Sequence, residues 1–590
     1  MDFFMNESRP HTGLTLIVAL TLAIGSFHEG FAQEAEVDRE AVKTPHLGLG
    51  VPADCIAYLH LKPSSGWSAF GKDVKTLFSE VTAEGLVSWL LDMFPVAAEN
   101  QLDEKAQKDR ADSVRGEVAH WVDVFASVEW RRLISNECAV GLRYEFLDTE
   151  LVALFRVDPA DRAQLSGQLT RVLEEIAARG GDFEMLDSTR LGIATVVVQS
   201  RTDPRAQICV GGLADVVAVA TSSTLLRQSL RLLAGEAHST PMVLGAPYER
   251  ILNKDDKAQR DFELFVRPAK YFDNLREELK AIEDAIADVD ETELPETIKI
   301  ARVRGRRMVN GLDLVDGVSL RASLAGNKIL SHFALQLRER NDKADGSSAA
   351  HLGDSLFPDR TLAKRGSFAR IGAAGVLAWT GFEYRSLVSG ISEIFGGDKI
   401  EGDLQGELLG LFDGEVFLAG RTTETPPVLF VEIRDAKEAT ATLKKAIGRV
   451  EANPGELPFV HRVRELDSAD GFRVAFSFAD GKKEELQLGV QDNFVFLTEP
   501  GQVEFAVAAA RARASGADAP EGLHGVWDLD IATLVQWVAV LGGSQRGEPV
   551  SEAVIRGLKF LGRLSGNATR SGSRYEGKAT LKLKLKKRQF

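Results

Sequence analysis

Apolar and polar positions along the chain alternate with two different periods. Short runs such as Cys55–Leu61 (CIAYLHL), Leu151–Val157 (LVALFRV) and Val428–Ile433 (VLFVEI) have the length and β-branched content of strands. Between them, Leu165, Leu169, Val172, Leu173 and Ile176 recur at helical spacing, as do Leu443, Ala446 and Val450. Asp158-Pro159 and Asp435 with Glu438 read as helix starts that supply side-chain caps. Phe70, Val74, Leu77, Phe78 and Val81 predict a further amphipathic helix, with a counterpart expected from Tyr384 to Phe395.

The pattern recurs. At an offset of 278 positions, Ile134–Val140 aligns with Phe412–Leu418, and Ile208–Val219 aligns with Leu486–Leu497. Turn-forming residues exchange for one another within the match, Asn136 for Gly414 and Asp215 for Asn493. Each half is expected to close with a hairpin. The first turns at Gly326-Asn327; the second is predicted at Glu576-Gly577. The expected fold class is therefore α+β. It comprises two tandem homologous domains, each an antiparallel or mixed sheet packed against helices. The expected boundaries are a leader over 1–32, a polar segment over 33–47, a first repeat over 48–339, a linker over 340–358 and a second repeat over 359–590. The first repeat carries two insertions, 96–118 and 275–308, and the second contains the basic cluster Arg302–Arg307.

The N-terminus points to export. Leu14–Ile24 (LTLIVALTLAI) is an apolar stretch too short for a comfortable membrane span, and Gly30-Phe31-Ala32 offers a cleavage site after Ala32. Retention as an uncleaved anchor is the alternative, since Asp2 and Glu7 make the start atypical. After cleavage the expected location is periplasmic or extracellular, with no transmembrane segment expected beyond the leader. The mature region opens with Pro52-Ala53-Asp54 and Ala57-Tyr58; FDGEVFLAG and VEIRDAKEATATLKKAI follow later. In these blocks the chain resembles large exported bacterial envelope proteins of a cyanobacterial and planctomycete domain-of-unknown-function family. The resemblance implies export and a duplicated α+β build, and it implies no catalytic positions.

Composition narrows the function classes. The 590 residues carry a formal net charge of −15, which argues against nucleic acid as a partner. Cys55, Cys138 and Cys209 cannot all pair within the chain. They read as buried thiols, with one disulfide plus one free thiol as the alternative. No CxxC, nucleophile elbow or phosphate loop occurs, and Gly48-Leu49-Gly50 is not a phosphate cradle. No two of the histidines beyond the leader lie within five residues, so no local metal motif is formed. His60 and His332 are expected on the outer face of half-buried strands. Catalytic, cofactor-binding and metal residues are accordingly expected to be none, and no cofactor is implied. Glu137 and Glu415 occupy equivalent positions. Either they meet and share a proton or cation, or each begins a strand in solvent. The lysines of Leu581–Lys587 are expected to protect a sheet edge. The leading expectation is a non-enzymatic envelope protein that binds or scaffolds another envelope protein. The rivals are a carrier of lipid or another hydrophobic ligand, and a hydrolase whose His and carboxylate converge from distant positions.

Overall fold

The computed structural model describes residues 46–62, 127–134, 136–145, 148–179, 182–190, 193–236, 239–251, 261–285, 313–338, 368–380, 410–422, 425–452, 460–465, 471–477, 483–515, 523–531 and 561–584, with positions 124, 309, 362, 533 and 534. The leader, the 340–358 linker, the Arg302–Arg307 cluster and the expected helices over Phe70–Val81 and Tyr384–Phe395 lie outside the described residues. No helix among the described residues is long and apolar enough to cross a membrane.

The fold class differs from the α+β expectation. Among the described residues strand outweighs helix, and the twenty strands described are grouped into one antiparallel sheet instead of two separately helix-packed domains. Every strand pairing with a defined register is antiparallel. The helices expected on described residues form; what the sequence pattern understated is the strands, because an apolar face at helical spacing is the more conspicuous signal. Short strands signal only by alternation, and fully buried ones do not alternate at all.

The chain divides into two compact units, Met1–Arg267 with Ser319–Gly326, and Pro268–Val318 with Asn327–Phe590. In the first unit, β1 (Ala57–Leu61), β2 (Glu137–Glu145), β3 (Asp148–Arg156), β4 (Phe183–Arg190), β5 (Ile193–Ser200), β6 (Gln207–Leu213), β7 (Val216–Ala220) and β8 (Phe262–Val266) pair in the order β8-β1-β2-β3-β7-β6-β5-β4. The strand β9 (Val315–Ala325) follows, and Asp261 N–H donates to Ala322 O.

In the second unit, β10 (Lys328–Leu337), β11 (Gly375–Trp379), β12 (Phe412–Gly420), β13 (Val428–Ile433), β14 (Val460–Glu465), β15 (Gly471–Ser477), β16 (Lys483–Gln491), β17 (Phe494–Thr498) and β18 (Leu523–Asp530) precede β19 (Leu561–Ser571) and β20 (Arg574–Leu583). The order β18-β11-β12-β13-β17-β16-β15-β14 repeats that of the first unit strand for strand. Even the backbone repeats. Ala214 and Asp492, 278 positions apart, are the two non-glycine residues with positive φ among the described residues. Each sits in the tight turn between two paired strands.

The helix Arg162–Arg179 forms where the spacing predicts it. Its Leu165, Leu169, Val172, Leu173 and Ile176 pack on Cys138, Ala153, Phe155 and Val157. Each such buried aliphatic side chain contributes about 1.5–3 kcal/mol of transfer free energy. Asp158 accepts from Ala160 N–H in the turn that precedes this helix. Asp435 caps the helix Ala436–Ala452 through Lys437 and Glu438 N–H. The opposite sheet face of the first unit is covered by the helix Ser223–Leu233 and by a short 3-10 turn, Leu47–Gly50.

Two hairpin expectations divide. β9 and β10 flank Gly326-Asn327, as read. The second turn is at Gly572-Ser573, with Gly572 at φ +59°, and Glu576-Gly577 lies inside β20. Gly577 serves packing: a Cβ there would meet the Phe333 ring at 2.1 Å. Strand β20 is also no edge, since it pairs with β19 on one side and β10 on the other. Its lysines therefore do not protect a free edge.

Candidate metal centre

Glu137 opens β2 and faces Arg156 across the β2–β3 ladder. On the neighbouring strand β1, His60 stands opposite Ala139, two positions along on the same face. Above this face lies the segment 46–55. Leu47–Gly50 makes a 3-10 turn that needs two small residues. A Cβ on Gly48 would lie 2.4 Å from Tyr58 Oη, and one on Gly50 would lie 2.7 Å from both Leu154 and Leu233. The glycines read in the sequence as an isolated pair are thus there for close packing. Hydrogen bonds from several neighbours hold the segment down. Met242 N–H donates to Val51 O, Ala53 N–H donates to Thr240 O, and Arg143 Nη1 donates to Asp54 Oδ2 at 3.0 Å. Fixed in this way, the turn places His46 at the rim of the buried carboxylate.

The result is a cluster drawn from three distant segments. His60 Nε2 lies 3.0 Å from Glu137 Oε1, and His46 Nε2 lies 4.0 Å from the same oxygen. The two imidazole centroids are 4.2 Å apart. Leu47 N–H donates to Glu137 Oε1 at 3.0 Å, and Arg156 Nε donates to Oε2 at 2.8 Å. Arg156 Nη1 also donates to Asp215 Oδ2 at 2.6 Å, so its guanidinium bridges the two carboxylates. One ligand atom from each of His46, His60 and Glu137 fits within 4.8 Å of the others; this is the only such group of three or more among the described residues. His60 and Glu137 are buried, whereas the His46 side chain is 43% exposed.

The charge states follow from these contacts. Burial pushes the Glu137 carboxyl up, but the bonds from His60, Leu47 N–H and Arg156 outweigh it and leave its pKa at about 2. Burial and then the neighbouring His60 lower His46 to about 4. Near neutral pH the site thus presents a carboxylate and an uncharged outer imidazole. Gly48 N–H donates to His46 Nδ1 at 3.1 Å. In the neutral ring Nε2 then carries the proton, and it faces Glu137.

Neither reading of the carboxylate pair holds. Both glutamates are buried, and each is engaged by partners from its own unit. Glu415 binds Arg513, with Nε–Oε1 at 2.7 Å and Nη2–Oε2 at 2.5 Å. Arg513 comes from the helix Val503–Ala514, and its Cζ lies 4.2 Å from the Phe368 ring centroid. In β11, Ala378 stands opposite Phe417, the register position that His60 holds opposite Ala139 in β1. At the offset of Arg513 the first unit has Gly235 at φ +80°, beyond the end of its helix. Glu415 has both oxygens closed by one internal arginine, whereas Glu137 has Arg156 on Oε2 and leaves Oε1 to Leu47 N–H and the two histidines.

His60 does not lie on an outer face. It is 3% exposed, because the 47–50 turn adds a layer that strand alternation cannot reveal. His46 and His60 are fourteen residues apart and Glu137 a further seventy-seven, so no spacing motif announces them. The one sequence signal was the repeat, which singled out Glu137. The hydrolase reading asked for His and a carboxylate within hydrogen-bond reach. His60 and Glu137 satisfy that distance, but His60 is buried and its Nε2 is directed at the carboxylate. The three cysteines are buried and free, with no disulfide among them.

No family model matches the chain, and no curated protein matches its sequence. Among solved structures, crystal form III of TP0453 is 11% identical over 52% of this chain and 84% of that one, with a TM-score of 0.22. Crystal form I of TP0453 is 13% identical over 51% and 82%, with a TM-score of 0.21. Likeness at this level assigns neither fold nor function.

Proposed function

We propose that the chain is an exported binding protein whose ligand is a divalent first-row transition-metal ion, taken by His46, His60 and Glu137. One observation carries the reading: two imidazoles and a carboxylate from three separate segments converge within 4.8 Å. Two nitrogens and one oxygen are the donor set of zinc-type ions, whereas calcium and magnesium prefer oxygen alone. Bonds of about 2.1 Å in tetrahedral geometry put donors roughly 3.4 Å apart. The His60–Glu137 and His46–Glu137 separations, 3.0 and 4.0 Å, bracket that value.

Ligation has a cost that the geometry makes explicit. The ion replaces the ring protons that now face Glu137. His46 then carries its proton on Nδ1, so the ring must leave Gly48 N–H as it swings inward. Arg156 stays on Oε2 and orients the carboxylate from behind. Export is part of the proposal and is supported by the apolar run Leu14–Ile24 ahead of Gly30-Phe31-Ala32.

The test is equilibrium dialysis of the purified full chain against Zn2+, with metal content read by mass spectrometry. One equivalent is expected, resistant to excess Ca2+ and Mg2+. His46→Gln is expected to fold, because the side chain is partly exposed, and to lose stoichiometric uptake. Zinc uptake unchanged in His46→Gln and in His60→Gln would overturn the reading.

A further inference from the structure

We infer that an ion held in this site keeps one coordination position open toward solvent and takes there a small exogenous donor of the azide, thiocyanate or imidazole class. The inference rests on the proposed metal binding and goes beyond it, since a closed four-ligand site would serve structure alone.

The first support is the number of donors. Among the described residues, no fourth His, Cys, Asp or Glu joins the group. The nearest further carboxylate in the network, Asp215, is tied to Arg156 Nη1 at 2.6 Å, and Arg156 in turn is tied to Glu137. Asp215 is therefore engaged through the guanidinium that stands behind the Glu137 carboxylate. Cys138 offers no replacement, since it faces the apolar core on the other side of β2, and neither Cys55 nor Cys209 joins the group.

The second support is asymmetric burial. The side chains of His60 and Glu137 are 4% and 5% exposed, and that of His46 is 43%. The inner two donors are walled by the sheet and by Leu47, which is fully buried. Solvent therefore approaches an ion in the group from the His46 side. Three protein donors leave a tetrahedral ion one position short, and that position falls where water has access.

The third support is the second unit. There the equivalent carboxylate, Glu415, is met by Arg513 with its side chain 0% exposed, and the strand position of His60 is Ala378. That unit fills its pocket with a fixed internal cation. The first has Gly235 at the corresponding place, and its own arginine, Arg156, takes only Oε2 of Glu137, so Oε1 is left facing the two histidines and the partly exposed rim at His46.

Co2+ is the probe, because its visible absorption reports coordination number directly. The full chain is loaded with Co2+ and titrated with azide, then with thiocyanate and imidazole. The expected result is a protein-bound cobalt spectrum of a four- or five-coordinate ion, whose bands shift saturably with each added donor. A bound-cobalt spectrum that stays unchanged under a large excess of all three overturns the open position and leaves the metal reading standing. Absence of any protein-bound spectrum, with the chain folded by circular dichroism, removes both. His46→Gln, which opens the rim further, is expected to weaken cobalt binding; an unchanged titration in this variant would show that the exogenous donor binds elsewhere and overturn the inference.

Discussion

Arg513 holds Glu415 through a two-point contact, Nε to Oε1 at 2.7 Å and Nη2 to Oε2 at 2.5 Å, with neither side chain reaching solvent. The surrounding rings explain why such a pair is tolerated. Phe368 lies under the guanidinium, and Phe417 and Phe430 stack at 4.2 Å. Ala506, Ala509 and Ala510 let the Val503–Ala514 helix approach them closely. Removing one partner leaves a buried charge without its counterion, which costs about 3–5 kcal/mol. Arg513→Met is therefore expected to lower stability by that amount in urea unfolding. The double variant Arg513→Met with Glu415→Leu is expected to recover most of it, and failure to recover would mean the pair contributes more than mutual neutralisation.

Stability should fall in two acid steps, each from a group on the Glu137 cluster. His46 is lowered to about 4 when folded, against 6.5 in the unfolded chain. Between those values the unfolded state takes up the proton first, so stability falls as pH drops from about 6.5 to 4. Glu137 sits at about 2 when folded, against 4.5 unfolded. Its contribution is complete above pH 4.5 and is lost as pH falls toward 2. For this buried group that loss is on the order of 3 kcal/mol. Urea midpoints measured across this range should lose the upper step in His46→Gln and the lower one in Glu137→Gln.

The three thiols should be inert in the native protein. Burial pushes Cys138 and Cys209 up to about 12 and Cys55 up as well. Iodoacetamide at pH 8 is expected to label none of them in the folded chain and all three in denaturant. Rapid native labelling of any one would show that the segment carrying it opens readily.

Gly577 and Phe333 should behave as a matched pair. A Cβ at 577 would lie 2.1 Å from the ring, and Asn567 O is 3.0 Å away on the other side. Gly577→Ala is expected to cost about 1–3 kcal/mol through overpacking. Adding Phe333→Leu should return part of that loss, and additivity of the two changes would refute the contact as its cause.

Much of the local structure was legible in the chain. The core positions of the Arg162–Arg179 helix, the Asp435 cap and the Gly326-Asn327 turn depend on neighbours within a few residues, so pattern and propensity suffice. Glu576-Gly577 shows where that sufficiency ends. A dipeptide with turn chemistry lies mid-strand because a ring from another strand requires the glycine. The expected α+β class failed for a related reason, since helices announce themselves in sequence more loudly than buried antiparallel strands.

By itself, the sequence determined the recurrence at 278 positions, the caps, the apolar stripes and the equivalence of Glu137 with Glu415. Their chemistry was decided only in three dimensions. Burial of Glu137 depends on a turn at 47–50 laid across the sheet, and its imidazole partners, His60 and His46, stand seventy-seven and ninety-one residues before it. Whether Glu415 meets an arginine or a histidine depends on a helix end ninety-eight residues downstream. A carboxylate's protonation and its partners are set by what desolvates it and what charge stands within a few ångströms, and neither quantity is local in sequence.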